Sequence, residues 1–179
     1  MGEESVTLEE SIVNLLKKKN MTLTTAESCT AGLLAGRVMN VAGASDIYNE
    51  GYITYSNEAK HRILGVKEGT LKEFGAVSHE TAFEMAEGAA RVAGADTALS
   101  VTGIAGPGGG TKEKPVGLVY IGCYVRGKVR TREFRFAKDR AGNREASVVS
   151  ALEFLKEELL REEQPYEKKR TEEKVQKGL

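Results

Sequence analysis

Thr97-Ala98-Leu99-Ser100-Val101-Thr102 runs directly into Gly103-Ile104-Ala105-Gly106-Pro107-Gly108-Gly109-Gly110, and the fold turns on this stretch. The first six residues are uncharged and either apolar or small, the pattern of a strand buried on both faces in the middle of a sheet. Working outward, segments of strand and helix character alternate. Upstream, Leu8, Ile12, Leu15 and Leu16 recur at helical spacing as far as about Lys18. Thr22 to Ala26 reads as a short strand, Thr30 to Met39 as a helix rich in small residues, and Gly51 to Tyr55 as a strand. Helices are predicted from Asn57 to Leu64, near Lys67 to Phe74, and from Ser78 to about Val92. Downstream, Val116 to Val125 and Val129 to Phe136 predict a hairpin around Arg126-Gly127. A last helix starting near Ala141 would bury Val148, Ala151, Leu152, Leu155 and Leu159 along a single face. This alternation predicts an α/β layered fold. Apolar residues almost vanish beyond Leu160, so the expected organisation is one domain over 1–160 and a charged tail over 161–179.

The bulk composition narrows the function classes. The chain has 179 residues, enough for one domain with a substantial core, and 26 basic residues balance 26 acidic ones. No Lys/Arg block stands out, so direct nucleic-acid binding is not expected. No apolar run approaches a membrane span, and the acidic start Met1-Gly2-Glu3-Glu4 does not read as a signal peptide. The expected location is cytoplasmic. Two cysteines do not make a disulfide framework, and two histidines do not make a usual zinc site.

Several segments carry candidate chemistry. Gly43-Ala44-Ser45 places a serine on a small-residue turn, and Tyr55-Ser56-Asn57-Glu58-Ala59-Lys60 places a lysine in a first helical turn capped by Asn57. The positive end of the helix and partial burial both disfavour an ammonium there, and a neutral lysine can act as general base for a serine. Gly103 to Gly110 presents backbone N–H groups at the end of a buried strand, as an anion-binding loop does. It lacks the Gly-Lys-Ser/Thr ending and following helix of a mononucleotide loop, and no helix follows as a dinucleotide fingerprint requires. Cys29, in Ala26-Glu27-Ser28-Cys29-Thr30, is an alternative nucleophile with His61 or His79 as base. Ser28 and Thr30 read equally well as helix caps, and Glu27 as a ligand for a substrate hydroxyl or a capping N–H. Arg140 and Arg144, beside Asp139, suit a phosphate or a solvated helix turn.

Thr25-Ala26-Glu27-Ser28-Cys29-Thr30, Gly43-Ala44-Ser45, Tyr55 to Lys60, Gly75-Ala76-Val77-Ser78, Thr102 to Pro107 and Lys114-Pro115-Val116-Gly117 occur in an order that resembles the CinA C-terminal domain family. The resemblance covers about Val6 to Leu160. Characterised members of that family include nicotinamide-nucleotide amidohydrolases (NMN deamidases), which serve NAD recycling. It implies a three-layer α/β/α domain around a mixed five-stranded sheet with one antiparallel strand. It also implies Ser45 as nucleophile, Lys60 as its base and Tyr55 beside them. Glu27, Ser28, Thr30, Thr102, Gly103, Gly106 and Arg140 would form the substrate site. Two positions depart from the family pattern: Ala31-Gly32 stands where two glycines are usual, and Lys138 where glycine is common. Larger family proteins carry a further N-terminal domain, so the pyrophosphatase activity attributed to it is not expected of this chain.

The implied reaction converts the carboxamide of nicotinamide mononucleotide to nicotinate mononucleotide and ammonia through a Ser-Lys acyl-enzyme, with no metal or cofactor. A homodimer and a small-molecule nucleotide substrate are the implied partners. Three other readings stand beside it: a non-catalytic nucleotide-binding regulatory module of the same family, a DNA-associated competence factor, and a Cys29 amidase.

Overall fold

The computed structural model describes residues 6–161, so the tail expected over 161–179 lies, but for Arg161, outside the described residues. Helix α1 (Leu8–Lys19) begins at Thr7, whose side chain accepts from the Glu10 N–H while Glu10 bonds back to the Thr7 N–H, a full capping box. Strand β1 (Leu23–Glu27) follows, then α2 (Leu33–Met39) and β2 (Tyr52–Ile53). Three helices come next: α3 (Asn57–Leu64), α4 (Glu68–Glu73) and α5 (His79–Ala93). The described residues continue through β3 (Thr97–Gly103), β4 (Leu118–Val125), β5 (Lys128–Arg135) and α6 (Arg140–Arg161).

The five strands form one sheet in the order β2-β1-β3-β4-β5. β1 pairs in parallel with β2 and with β3, and β4 runs antiparallel to both β3 and β5. One strand against four is the mixed sheet the resemblance implied. β3 is central and buried on both faces, as its uncharged sequence predicts.

The two faces are filled differently. On one, Ile12, Val13 and Leu16 of α1, Leu34 and Val38 of α2, and Val148, Leu152 and Leu155 of α6 meet Leu99, Val101, Val119 and Ile121 of the sheet. On the other, Leu64 of α3 and Met85, Ala89 and Ala90 of α5 cover Ala26 and Ala98. Small residues let α5 come close: Ser100 donates to the Ala82 carbonyl at 2.6 Å, and a methyl at Gly122 would lie 2.5 Å from that same oxygen. Several boundaries differ from expectation: α2 begins at Leu33 rather than Thr30, and β4 at Leu118 rather than Val116. Ser56, not Asn57, caps α3, accepting from the Ala59 N–H at 3.0 Å. β2 is only two residues long, an edge strand whose ladder with β1 pairs Tyr52 with Ala26 and Ile53 with Glu27.

Candidate active site

The parallel strands β2, β1 and β3 all end on the same edge of the sheet, and the chain leaves that edge toward opposite faces. Such a switch point leaves a crevice beyond the carboxyl ends of the strands. Ser28 sits there, immediately after β1, its N–H donating to the Val101 carbonyl at 2.9 Å. The Thr54 N–H extends β2 by bonding to the Glu27 carbonyl at 2.9 Å. Lys60, one turn into α3, turns its side chain inward toward both. It is 0% exposed. Its Nζ lies 3.0 Å from Ser28 Oγ, 2.8 Å from the Thr54 carbonyl and 3.3 Å from the Tyr55 carbonyl.

Burial pushes the Lys60 amine down from the usual 10.5 to about 8. An ammonium can donate to all three partners. A neutral amine keeps two N–H groups for the two carbonyls and turns its lone pair to the Ser28 hydroxyl, which then becomes the donor. Ser28, Cys29, Lys60, Tyr55, Ala76, Val77, Thr102, Gly103, Ala105 and Arg140 line a cavity of about 200 Å³ around this pair.

The structure corrects the serine. Ser45 stands exposed in a short 3-10 turn (Ala44–Asp46) at the opposite edge of the sheet. Ile47, two residues on, accepts from the N–H of Leu23, the first residue of β1. Ser28 follows the last residue of that strand, so roughly 16 Å of extended chain separates the two edges. Lys60 therefore has Ser28 as its serine partner. Tyr55 does stand beside the pair, but its contact with Lys60 is through its carbonyl, and the residue is 65% exposed.

Glu27 is corrected too. It is 1% exposed, and its carboxylate accepts from the N–H groups of Gly32, Leu34 and Ala35 at 2.9, 3.1 and 2.9 Å. It is the cap of α2 and has no face toward a substrate. It holds a turn in which Ala31 and Gly32 both take left-handed backbone, at φ 48° and 93°. Glu27→Ala would leave three N–H donors, one buried and two part-buried, without their acceptor and is expected to cost about 3 kcal/mol. Urea denaturation measures this, with Glu27→Gln expected to lose less because one oxygen remains to accept.

Thr30 is buried outside the cavity lining, and its carbonyl accepts from Arg144. Thr102 and Gly103 end β3 at the cavity wall, where the Thr102 hydroxyl donates to the Ala76 carbonyl at 2.6 Å. Arg140 reaches over the rim and donates to the Gly106 carbonyl at 2.7 Å. The Cys29 thiol is pushed up to about 11 by burial, so it remains protonated at neutral pH. His61 is held by the Val66 carbonyl and His79 by Thr131, away from this cavity.

Two residues that support the site were given no role by the sequence. Lys114, quoted only as part of a motif, donates to the Phe74 and Val77 carbonyls and pins the wall formed by Ala76 and Val77. Buried Asn143 donates to the Ala105 carbonyl and accepts from the Lys138 N–H. Ser28 did have a signal: it lies at a strand-turn-helix junction, where exposed nucleophiles recur, whereas Ser45 lies between a helix and a strand.

Residues 5–159 match the sequence profile of the CinA C-terminal domain. The chain belongs to the CinA C-terminal domain family. It is 56% identical over 160 residues to a CinA-like protein of Kosmotoga olearia, a match covering 89% of this chain and 38% of that protein. The chain thus spans about two fifths of the length of the curated relatives it matches. The competence/damage inducible protein CihA of Agrobacterium tumefaciens is 44% identical, with a TM-score of 0.80 over 87% of this chain and 97% of that one. A CinA superfamily protein of Klebsiella pneumoniae is 35% identical, with a TM-score of 0.84 over 89% and 99%. The α/β architecture is therefore that of solved CinA domains. Among the described residues of this CinA domain, no helix is long and apolar enough to cross a membrane.

Proposed function

We propose that this chain hydrolyses the carboxamide of nicotinamide mononucleotide to nicotinate mononucleotide and ammonia, with Ser28 as nucleophile and Lys60 as base. The observation that carries the proposal is the fully buried Lys60 amine on Ser28 Oγ at 3.0 Å, with two carbonyls fixing its orientation. Among the described residues Lys60 has no carboxylate partner, which makes its burial costly to the fold, and a lowered amine pKa next to a hydroxyl is what a Ser-Lys dyad needs.

Neutral Lys60 takes the Ser28 proton as Oγ bonds to the amide carbon. In the turn after Ser28, the Ala31 N–H is committed to the Ser28 carbonyl and that of Gly32 to Glu27. The oxyanion is assigned to backbone N–H groups at the cavity wall beside Ser28. The C–N bond then breaks, and Lys60 returns the proton to the departing ammonia. Water attacks the resulting ester, gives its proton to Lys60, and Ser28 leaves with it.

Cavity size supports a nucleotide with its ring innermost. About 200 Å³ suits one ring with a small substituent and falls below the ~300 Å³ at which pockets for larger ligands begin. A second cavity of about 510 Å³ shares Ala105 and Arg140 with it and offers room for ribose and phosphate.

Purified protein incubated with nicotinamide mononucleotide is expected to release ammonia and nicotinate mononucleotide in equal amounts. Binding without ammonia release would replace this reading with the non-catalytic nucleotide-binding module.

A further inference from the structure

We propose that Lys138 is the residue by which this domain selects a phosphorylated ligand over the bare nucleoside. The inference rests on the ligand orientation given above and adds to it the group that reads the phosphate.

The outer cavity is lined by three cations, Lys138, Arg140 and Arg144, and one carboxylate, Asp139. Their side chains are committed unequally. Arg144 spends Nε on the Cys29 carbonyl and one terminal nitrogen on the Thr30 carbonyl, both at 3.0 Å, so it braces the turn that carries Ser28. Arg140 spends a terminal nitrogen on the Gly106 carbonyl. Asp139 turns its carboxylate back to the Gly142 N–H at 2.8 Å and caps α6. Among the described residues, the Lys138 ammonium has no hydrogen-bond or ion-pair partner, and the residue is exposed at the rim.

Its backbone, in contrast, is fixed. The Lys138 N–H donates to Asn143 Oδ1 at 3.1 Å, and Asn143 Nδ2 donates to the Ala105 carbonyl at 3.0 Å. Asn143 is 1% exposed and Ala105 lines both cavities. One buried side chain therefore ties the root of Lys138 to the floor on which the ligand lies. A free ammonium on a rigid root, beside a half-committed guanidinium, suits a phosphate at the outer end of a ligand whose ring reaches Ser28.

Calorimetric titration of Ser28→Ala protein separates binding from turnover. With Lys138 intact, nicotinamide mononucleotide is expected to bind at least tenfold more tightly than nicotinamide riboside, and raising the salt should narrow the gap. In the Ser28→Ala/Lys138→Ala protein the nucleotide is expected to lose about tenfold in affinity, the worth of one charge-assisted hydrogen bond, while the riboside changes less than twofold. Lys138→Arg should restore the preference. Equal losses for both ligands, or an unchanged nucleotide affinity, would overturn the inference. Failure of the wild type to release ammonia, with the Lys138-dependent preference intact, would remove the amidohydrolase reading and leave this one standing.

Discussion

Ser28→Ala is expected to lower ammonia release from nicotinamide mononucleotide by at least about a thousandfold, the usual loss when an acyl-forming nucleophile is removed. The protein should remain folded. Ser28 loses only one oxygen, and its backbone N–H keeps the Val101 carbonyl as partner. Ser45→Ala is the matched control. It alters an exposed turn beside the Lys17–Asp46 ion pair of 2.9 Å, so its turnover should stay within about twofold of the wild type. Rapid-quench mass spectrometry should trap the nicotinoyl ester on Ser28 during turnover. Full activity in Ser28→Ala, or an ester on another residue, would refute the assignment.

Lys60→Met is expected to reduce the rate by about 10²- to 10⁴-fold, the range for loss of a positioned general base. The wild-type kcat/KM should rise tenfold per pH unit and level off above about pH 8, where burial has placed the Lys60 pKa. The same shift has a thermodynamic counterpart. Below pH 8 folded and unfolded chains both carry the proton, and the folded state bears the cost of burying it. Between about pH 8 and 10.5 the unfolded chain still holds a proton that the folded chain has lost, so wild-type stability rises with pH. Relative to Lys60→Met, the gain should approach about 3 kcal/mol across that window. Urea denaturation of both proteins at pH 7 and pH 10.5 measures it. A stability difference that does not change with pH would mean that Lys60 titrates at its ordinary value, and the base assignment would fall with it.

Glu27 shows why site chemistry is harder to read than architecture. From the sequence, a carboxylate beside Ser28 serves equally as a substrate ligand or a helix cap. The choice follows from its burial and from three N–H groups of a helix that begins six residues later. Arg140 and Arg144 present the same ambiguity four residues apart: one reaches over a cavity rim, and the other is drawn onto the Cys29 and Thr30 carbonyls.

The alternation of helix and strand, the double burial of Thr97 to Thr102 and the inward face of α6 were legible because local periodicity and composition report burial directly. The lysine was legible as well, since position 60 falls in the first turns of a predicted helix after a capping residue. Its serine was not. Pairing across 32 residues depends on strand order, and Ser28 and Ser45 are alike in residue type and in small-residue surroundings. Parallel pairing of β1 with β2 and β3 carries Ser28 to the edge where α3 begins, and leaves Ser45 at the edge where β1 starts. The sequence by itself determined the layers and singled out Lys60. Only the tertiary structure decided which hydroxyl the Lys60 amine touches, because that contact is a property of sheet topology and not of any local segment.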